Sequence, residues 1–152
     1  MQPAKIYLDL MKDLIAWTQQ NCPKEEVPIA AMVLDENNQE ISRSANSRFL
    51  TNNPVGHAEI LAITAAGQIK NNWRLDNCTL LVTIEPCAMC AGAILQSRIS
   101  RLIFGAFEPK TGAIHSTTEF LRDANPPVEV ISGVLAEECF TLVADWFSKN
   151  HR

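Results

Sequence analysis

The chain has 152 residues, 47% of them hydrophobic and 20% charged, a size and composition that fit one folded domain and exclude a disordered or fibrous polymer. Thirteen Lys and Arg against seventeen Asp and Glu leave a net charge of −4, which argues against a protein held on nucleic acid by bulk charge alone. A local basic surface is still open, because residues 41–56 carry Arg43 and Arg48 and no acid.

Residues 5–20 place Ile6, Leu10, Leu14 and Trp17 at helical spacing, with Met11 and Ile15 beside them. They predict an amphipathic first helix that Asn21-Cys22-Pro23 ends. Lys5, Asp9, Lys12 and Asp13 interrupt this stretch and no small-residue cleavage site follows, so it is not read as a secretion signal. No apolar run approaches the ~18 residues of a membrane span, and a soluble, cytoplasmic protein without membrane attachment is expected. Residues 27–34 are continuously apolar and predict a buried strand. Asp35 to Asn38 form a turn, and residues 39–45 return as the second strand of a hairpin. Residues 48–56, rich in Asn and interrupted by Pro54, predict a loop. Residues 57–69 predict a second helix and 78–84 a strong strand. Glu85-Pro86 breaks that strand, and proline favours the first turn of the helix over 87–96 that follows. Residues 101–107 predict a third buried strand, 128–131 a short strand and 135–150 a last helix.

The segment 78–107 is thus a strand–helix–strand unit, which sets its strands parallel through a right-handed crossover. Together with the hairpin it predicts an α/β mixed sheet with helices on both faces, in one domain over 1–152. Five cysteines without a secretion signal do not suggest a disulfide framework. Cys22, Cys78 and Cys139 read as small buried packing residues. Trp17, Trp73 and Trp146 read as core or interface residues, and His115 as a surface loop residue.

Two short motifs carry chemistry: His57-Ala58-Glu59, and Pro86-Cys87-Ala88-Met89-Cys90. Each is weak alone, since C-x-x-C serves equally as a redox pair or half of a structural zinc site. In this order, each opening a predicted helix, they are specific together. Cys87 and Cys90 lie three apart and share a helix face, in a first turn where the helix dipole favours thiolates. Two thiolates and one neutral imidazole suit Zn²⁺. No fourth Cys or His accompanies them, the other histidines being His115 and His151. Three protein ligands leave a position for water, as in catalytic sites, and zinc lowers that water's pKa toward about 7. Glu59 is then the natural proton shuttle. Residues i and i+2 of a regular helix point nearly opposite ways, so His57 and Glu59 can share a site only at an irregular helix start.

The H-x-E…P-C-x-x-C pattern resembles the signature of the zinc-dependent cytidine deaminase superfamily. Within it the chain resembles the bacterial tRNA-specific adenosine deaminases over about residues 26–147. The resemblance is carried by Val27-Pro28, Ala45-Asn46, Gly56-His57-Ala58-Glu59-Ile60, TIEPCAMCAG at 83–92, Ser97-Arg98-Ile99, Phe104-Gly105-Ala106 and Pro109-Lys110-Thr111-Gly112-Ala113, with Gly133-Val134-Leu135 and Glu138-Cys139 late in the chain. It implies that His57, Cys87 and Cys90 bind one zinc per subunit and that Glu59 is the general acid/base. It implies hydrolytic attack at C6 of the wobble adenosine in a tRNA anticodon, leaving inosine and releasing ammonia. It implies that Asn46 hydrogen-bonds the flipped base, that Ile84 packs on it, and that Glu108 and Lys110 lie among the contacts to the anticodon stem-loop. Glu108 stands where the family usually has Asp, and Ile114-His115 where small residues usually follow. The implied fold is a three-layer α/β/α sandwich with a five-stranded mixed sheet, cytidine deaminase-like and usually a homodimer. Two other readings stay open. One is the same zinc chemistry on a free nucleobase, nucleoside or nucleotide of guanine, cytosine or deoxycytidylate type, against which the Lys110-Thr111-Gly112-Ala113 segment argues. The other is a non-enzymatic zinc-stabilised module, for which Glu59 has no use.

Overall fold

A computed structural model of the chain describes residues 4–150; His151 lies outside the described residues. The order is α1 (Lys5–Asn21), β1 (Ala30–Leu34), β2 (Glu40–Ala45), α2 (Ala58–Lys70), β3 (Thr79–Ile84), α3 (Ala88–Ser97), β4 (Arg101–Ala106), β5 (Glu129–Ile131) and α4 (Ala136–Asn150). The five strands form one sheet in the order β2-β1-β3-β4-β5. β1 is antiparallel to both β2 and β3, while β3, β4 and β5 run parallel. The expected hairpin, crossover and mixed five-stranded sheet are therefore all present.

The central strands explain themselves by burial on both faces. Every residue of β1 and β3 is buried, which is why both read as unbroken apolar runs rather than alternating ones. Side chains still alternate between two cores. Ala31, Val33, Leu80, Val82, Leu102 and Phe104 pack beneath α2 and α3. Ala30, Met32, Leu34, Leu81 and Ile103 pack beneath α1 and α4. The outer strand β2 is half-exposed. Its Arg43 bridges Glu40 and Asp13 and lies over the Trp17 ring, which puts charge on an edge that would otherwise pair with another strand.

Several expectations shift in detail. The first strand begins at Ala30, not at residue 27. Pro28 has no N–H to give a ladder, and the Ile29 N–H turns back to the Val27 carbonyl at 2.8 Å. The buried stripe of α1 is Tyr7, Met11, Leu14 and Thr18, one position round from the stripe through Ile6, Leu10 and Trp17; Ile6 is 43% exposed. Thr18 tolerates the core because its hydroxyl donates to the Leu14 carbonyl. Cys78 and Cys139 are buried as expected, but Cys22 is only half-buried. Trp146 is buried and Trp17 half-buried, but Trp73 is 63% exposed with the Arg74 and Arg98 guanidinium groups over its ring. His115 is exposed in its loop. Among the described residues no helix is long and apolar enough to cross a membrane.

α4 lies tight against the sheet at Gly105 on β4. A Cβ there would fall on Cys139 Sγ and sit 2.7 Å from the Thr83 carbonyl oxygen. Glycine at 105 is what lets α4 lie against β4 and reach the end of the sheet. Gly105→Ala should therefore cost about 2–3 kcal/mol by overpacking, lowering the melting temperature by roughly 5–10 °C. Thermal and urea unfolding check this, and an unchanged midpoint would mean that α4 has room to move.

Candidate active site

Both motifs sit one step before a helix. His57 is the N-cap of α2, with φ −71° and ψ 149°. Cys87 is the N-cap of α3, with φ −77° and ψ 177°. Extended backbone at these positions throws each side chain in front of the helix end instead of along its flank. That resolves the i, i+2 problem, because His57 lies outside α2 while Glu59 lies in its first turn. Both helix N-termini converge here, with their partial positive charge and unpaired N–H groups.

The His57 Nδ1 atom stands 3.6 Å from Cys87 Sγ and 3.5 Å from Cys90 Sγ. Among the described residues these three form the one group placed to hold a metal ion, with ligand atoms all within 4.8 Å of each other. One ring nitrogen has one in-plane lone pair or one hydrogen, and cannot serve two sulfurs 3.5 and 3.6 Å away in two good hydrogen bonds. A tetrahedral ion fits better: Zn–S near 2.3 Å and Zn–N near 2.05 Å separate nitrogen from sulfur by about 3.5 Å. The soft thiolates and borderline imidazole also match zinc. The charges agree. A hydrogen bond from the Cys90 thiol, opposed by burial and helped by His57, holds the Cys87 thiol down at about 3. The same shared hydrogen bond, with burial, pushes Cys90 up. The Cys87 hydrogen bond raises His57 against the opposing effect of burial. A divalent cation held by these three atoms would favour loss of the thiol protons.

These residues open onto a cavity of about 220 Å³ whose lining includes Asn46, His57, Glu59, Ile84, Cys87 and Glu108. Cys90 lies buried behind it. Glu59 is 5% exposed, and burial, above all, raises its carboxyl from the ordinary range. Lys110, like Cys90, does not line the cavity; it is exposed on the loop after β4, and its N–H donates to Glu108 Oε1 at 3.0 Å.

Two loops complete the walls. Ser47 N–H donates to the Gly56 carbonyl at 2.9 Å and closes the loop between β2 and α2, so Asn46 and His57 face one space. Buried Glu26 accepts the N–H groups of Arg48, Phe49 and Leu50 at 3.0, 3.2 and 2.7 Å. The loop after β4 wraps the carboxylate of Glu85. Burial pushes that carboxyl up, but hydrogen bonds from His115, Ser116 and Glu108 outweigh it and hold it below the ordinary range.

The remaining walls escaped the sequence reading. Arg48, Thr111, Val143 and Phe147 all line the cavity. Arg48 had a signal, as a cation two residues after Asn46. Val143 and Phe147 had none, because they come from α4 and only the packing over Gly105 brings them here.

Comparison with known proteins agrees with this geometry. The family model "Cytidine and deoxycytidylate deaminase zinc-binding region" matches residues 5–106. The tRNA-specific adenosine deaminase of Haemophilus influenzae is 47% identical over 126 residues, covering 82% of this chain and 73% of that protein. The tRNA-specific adenosine deaminase of Bacillus subtilis is 42% identical over 139 residues, covering 90% of this chain and 86% of that one. A solved structure from work on A-to-I editing by tRNA:A34 deaminases superposes with a TM-score of 0.80 at 34% identity, covering 87% of this chain and 96% of that one. The matched range includes the His57, Cys87 and Cys90 cluster, and the chain belongs to the cytidine and deoxycytidylate deaminase family.

Proposed function

We propose that the protein is a tRNA adenosine deaminase, converting the wobble adenosine of an anticodon to inosine and releasing ammonia. One observation carries the reading: a base-sized cavity brings a donor–acceptor amide, an apolar wall, a buried carboxyl and a His–Cys–Cys cluster onto one space. At about 220 Å³ the cavity is below the ~300–1,000 Å³ of sites for drug-sized ligands and suits one nucleobase rather than a whole nucleotide. A base enters such a space only when turned out of its stack, which costs least in a single-stranded loop.

His57, Cys87 and Cys90 hold the zinc, which when bound supplies a Lewis acid and brings the pKa of water toward neutrality. Glu59 moves the protons. Its carboxyl is raised by burial, so it accepts a proton from water and passes it to the departing amine. The overall step is water plus adenosine to inosine plus ammonia. Asn46 is 7% exposed, and its amide offers both a donor and an acceptor to the base edge. Ile84 supplies the apolar contact. Glu108 and Lys110 share one turn at the cavity mouth and face the sugar–phosphate chain of an anticodon stem-loop.

The enzyme is read as one deaminase domain over 1–152, cytoplasmic with its RNA and working as a homodimer. The outer face of α3 supports the dimer. Met89 is exposed, Gly92 has no neighbour within 4 Å of where a Cβ would be, and Ile69 and Trp73, at and after the end of α2, are more than 60% exposed.

Zinc-loaded protein should produce inosine at the wobble position of an anticodon stem-loop and leave free adenine, guanine, cytosine and their nucleosides unchanged. Turnover of a free base with an untouched stem-loop would replace this reading with that of a free-nucleobase deaminase. Glu59→Ala should keep its fold and about one zinc per subunit while losing roughly 10²–10⁴-fold in rate. Activity near that of the parent would remove Glu59 from the mechanism. Chelation should abolish turnover and lower the melting temperature, and zinc should restore both.

A further inference from the structure

Glu85 lies on the strand–helix connection between Ile84 and the Pro86-Cys87 step, and it is 3% exposed. Five hydrogen bonds reach its carboxylate. Oε1 accepts from Glu108 N at 3.0 Å and from the Ser116 hydroxyl. Oε2 accepts from the N–H groups of Ile114, His115 and Ser116 at 3.1, 2.8 and 2.9 Å. Every donor belongs to the one loop after β4, and they come from two separate stretches of it: Glu108 just past the strand, and residues 114–116 further along. The middle of the loop closes over the same group. At Gly112 a Cβ would fall on the Glu85 carboxyl and sit 2.6 Å from the Glu108 carbonyl oxygen. The Ala113 N–H donates to the Pro86 carbonyl at 2.9 Å, and Gly112 pairs with Cys87 as an isolated bridge.

A carboxylate has about four lone-pair sites, and five donors of one loop fill them. Glu85 lines the cavity, yet it has no acceptor left for a reacting atom. The loop, for its part, holds Glu108 and Thr111 on the cavity wall and Lys110 beyond it. Backbone N–H groups curled round an anion form a nest, and here the anion is built into the chain.

We propose that Glu85 is a positioning residue: its carboxylate is the internal anion around which the 107–117 loop is wound, and it sets how that loop meets the nucleic acid. The proposal rests on the tRNA reading for its effect on substrate, but its effect on the loop stands apart from it. Glu85 thereby ties the loop to the residue next but one to it, Cys87, so that the substrate wall and the metal cluster keep a fixed relation. Glutamine at 85 keeps the shape but turns an NH₂ group toward N–H donors, so the nest faces a donor where it needs an acceptor.

The test uses the full zinc-loaded chain with Glu85→Gln, read by amide hydrogen exchange and by stem-loop kinetics. Amides of Glu108, Ile114, His115 and Ser116 should exchange about tenfold or more faster, with protection of β3 and α3 unchanged and zinc still near one per subunit. KM for the stem-loop should rise about 10–100-fold while kcat moves far less, the loss of one charge-assisted bond setting the scale. Glu85→Asp, which keeps four lone-pair sites on a shorter arm, should recover part of both. Gly112→Ala covers the case in which Glu85→Gln does not fold: it keeps the charge of the carboxylate, forces the loop and the carboxyl apart, and should give the same loop exchange and the same KM effect. Parent-like loop protection in whichever of these two variants folds would overturn the proposal. So would a fall in kcat at unchanged KM with the loop still protected, since Glu85 would then act on the reacting atoms. If the parent itself ignores the stem-loop, the tRNA reading fails, and the exchange experiment still decides whether the carboxylate winds the loop.

Discussion

The site depends on a backbone constraint: a residue just ahead of a helix is extended, and its side chain projects off the helix end. His57 and Cys87 both occupy that position. It puts an imidazole nitrogen 3.5–3.6 Å from two sulfurs without bending either helix, and it leaves Glu59 in the first turn beside them. The two N-termini meet because β3 and β4 are parallel and α3 crosses between them, while α2 packs on the same face after the hairpin. Displace either helix by one residue and the donor atoms part by several ångströms, since each residue rises 1.5 Å and turns the side chain by about 100°. The cores on both sides of the sheet therefore serve the site by fixing the register of two helix ends.

Two buried glutamates do the same for the loops. Glu26 gathers three N–H groups of the segment that follows Asn46, and Glu85 gathers the loop after β4. Isolated carboxylates at such depth are costly, and backbone N–H groups offset the cost. Glu59 shows the opposite case on the same cavity. Burial raises both Glu59 and Glu85; hydrogen bonds turn the balance only for Glu85. One carboxyl is thus suited to exchanging a proton, and the other to staying ionised and holding a loop. The residue type is the same, and the number of donors aimed at it decides the role.

The motifs that carry the chemistry were legible because each lies within four or five consecutive residues, and local spacing is what a sequence displays directly. The strands were legible because β1 and β3 are buried on both faces and read as unbroken apolar runs. What stayed hidden depends on contacts across the fold. The face that α1 buries is settled by Arg101 and the sheet, not by its own spacing, so Tyr7 rather than Ile6 turns inward. Pro28 shortened a strand whose hydrophobicity ran on past it. Glu85 read only as the end of a strand, because its five donors lie 23 to 31 residues away. Val143 and Phe147 reach the cavity only through the glycine at 105.

The charge balance fits a substrate recognised locally. With a net charge of −4, the surface as a whole gives little attraction to a polyanion, and binding that rests on counterion release needs many basic contacts. Two cations stand near the cavity, Arg48 on its wall and Lys110 on the loop beyond it. Both stand on segments whose backbone is pinned by a buried carboxylate, Glu26 for the first and Glu85 for the second. Fixing a long flexible side chain at its base lowers the entropy lost when its charge meets a phosphate. A protein with a poor overall field for RNA can still select one nucleotide in this way. It presents a cavity of about 220 Å³ with Arg48 on its wall and Lys110 on the loop beyond, both on loops already held by hydrogen bonds to a buried carboxylate.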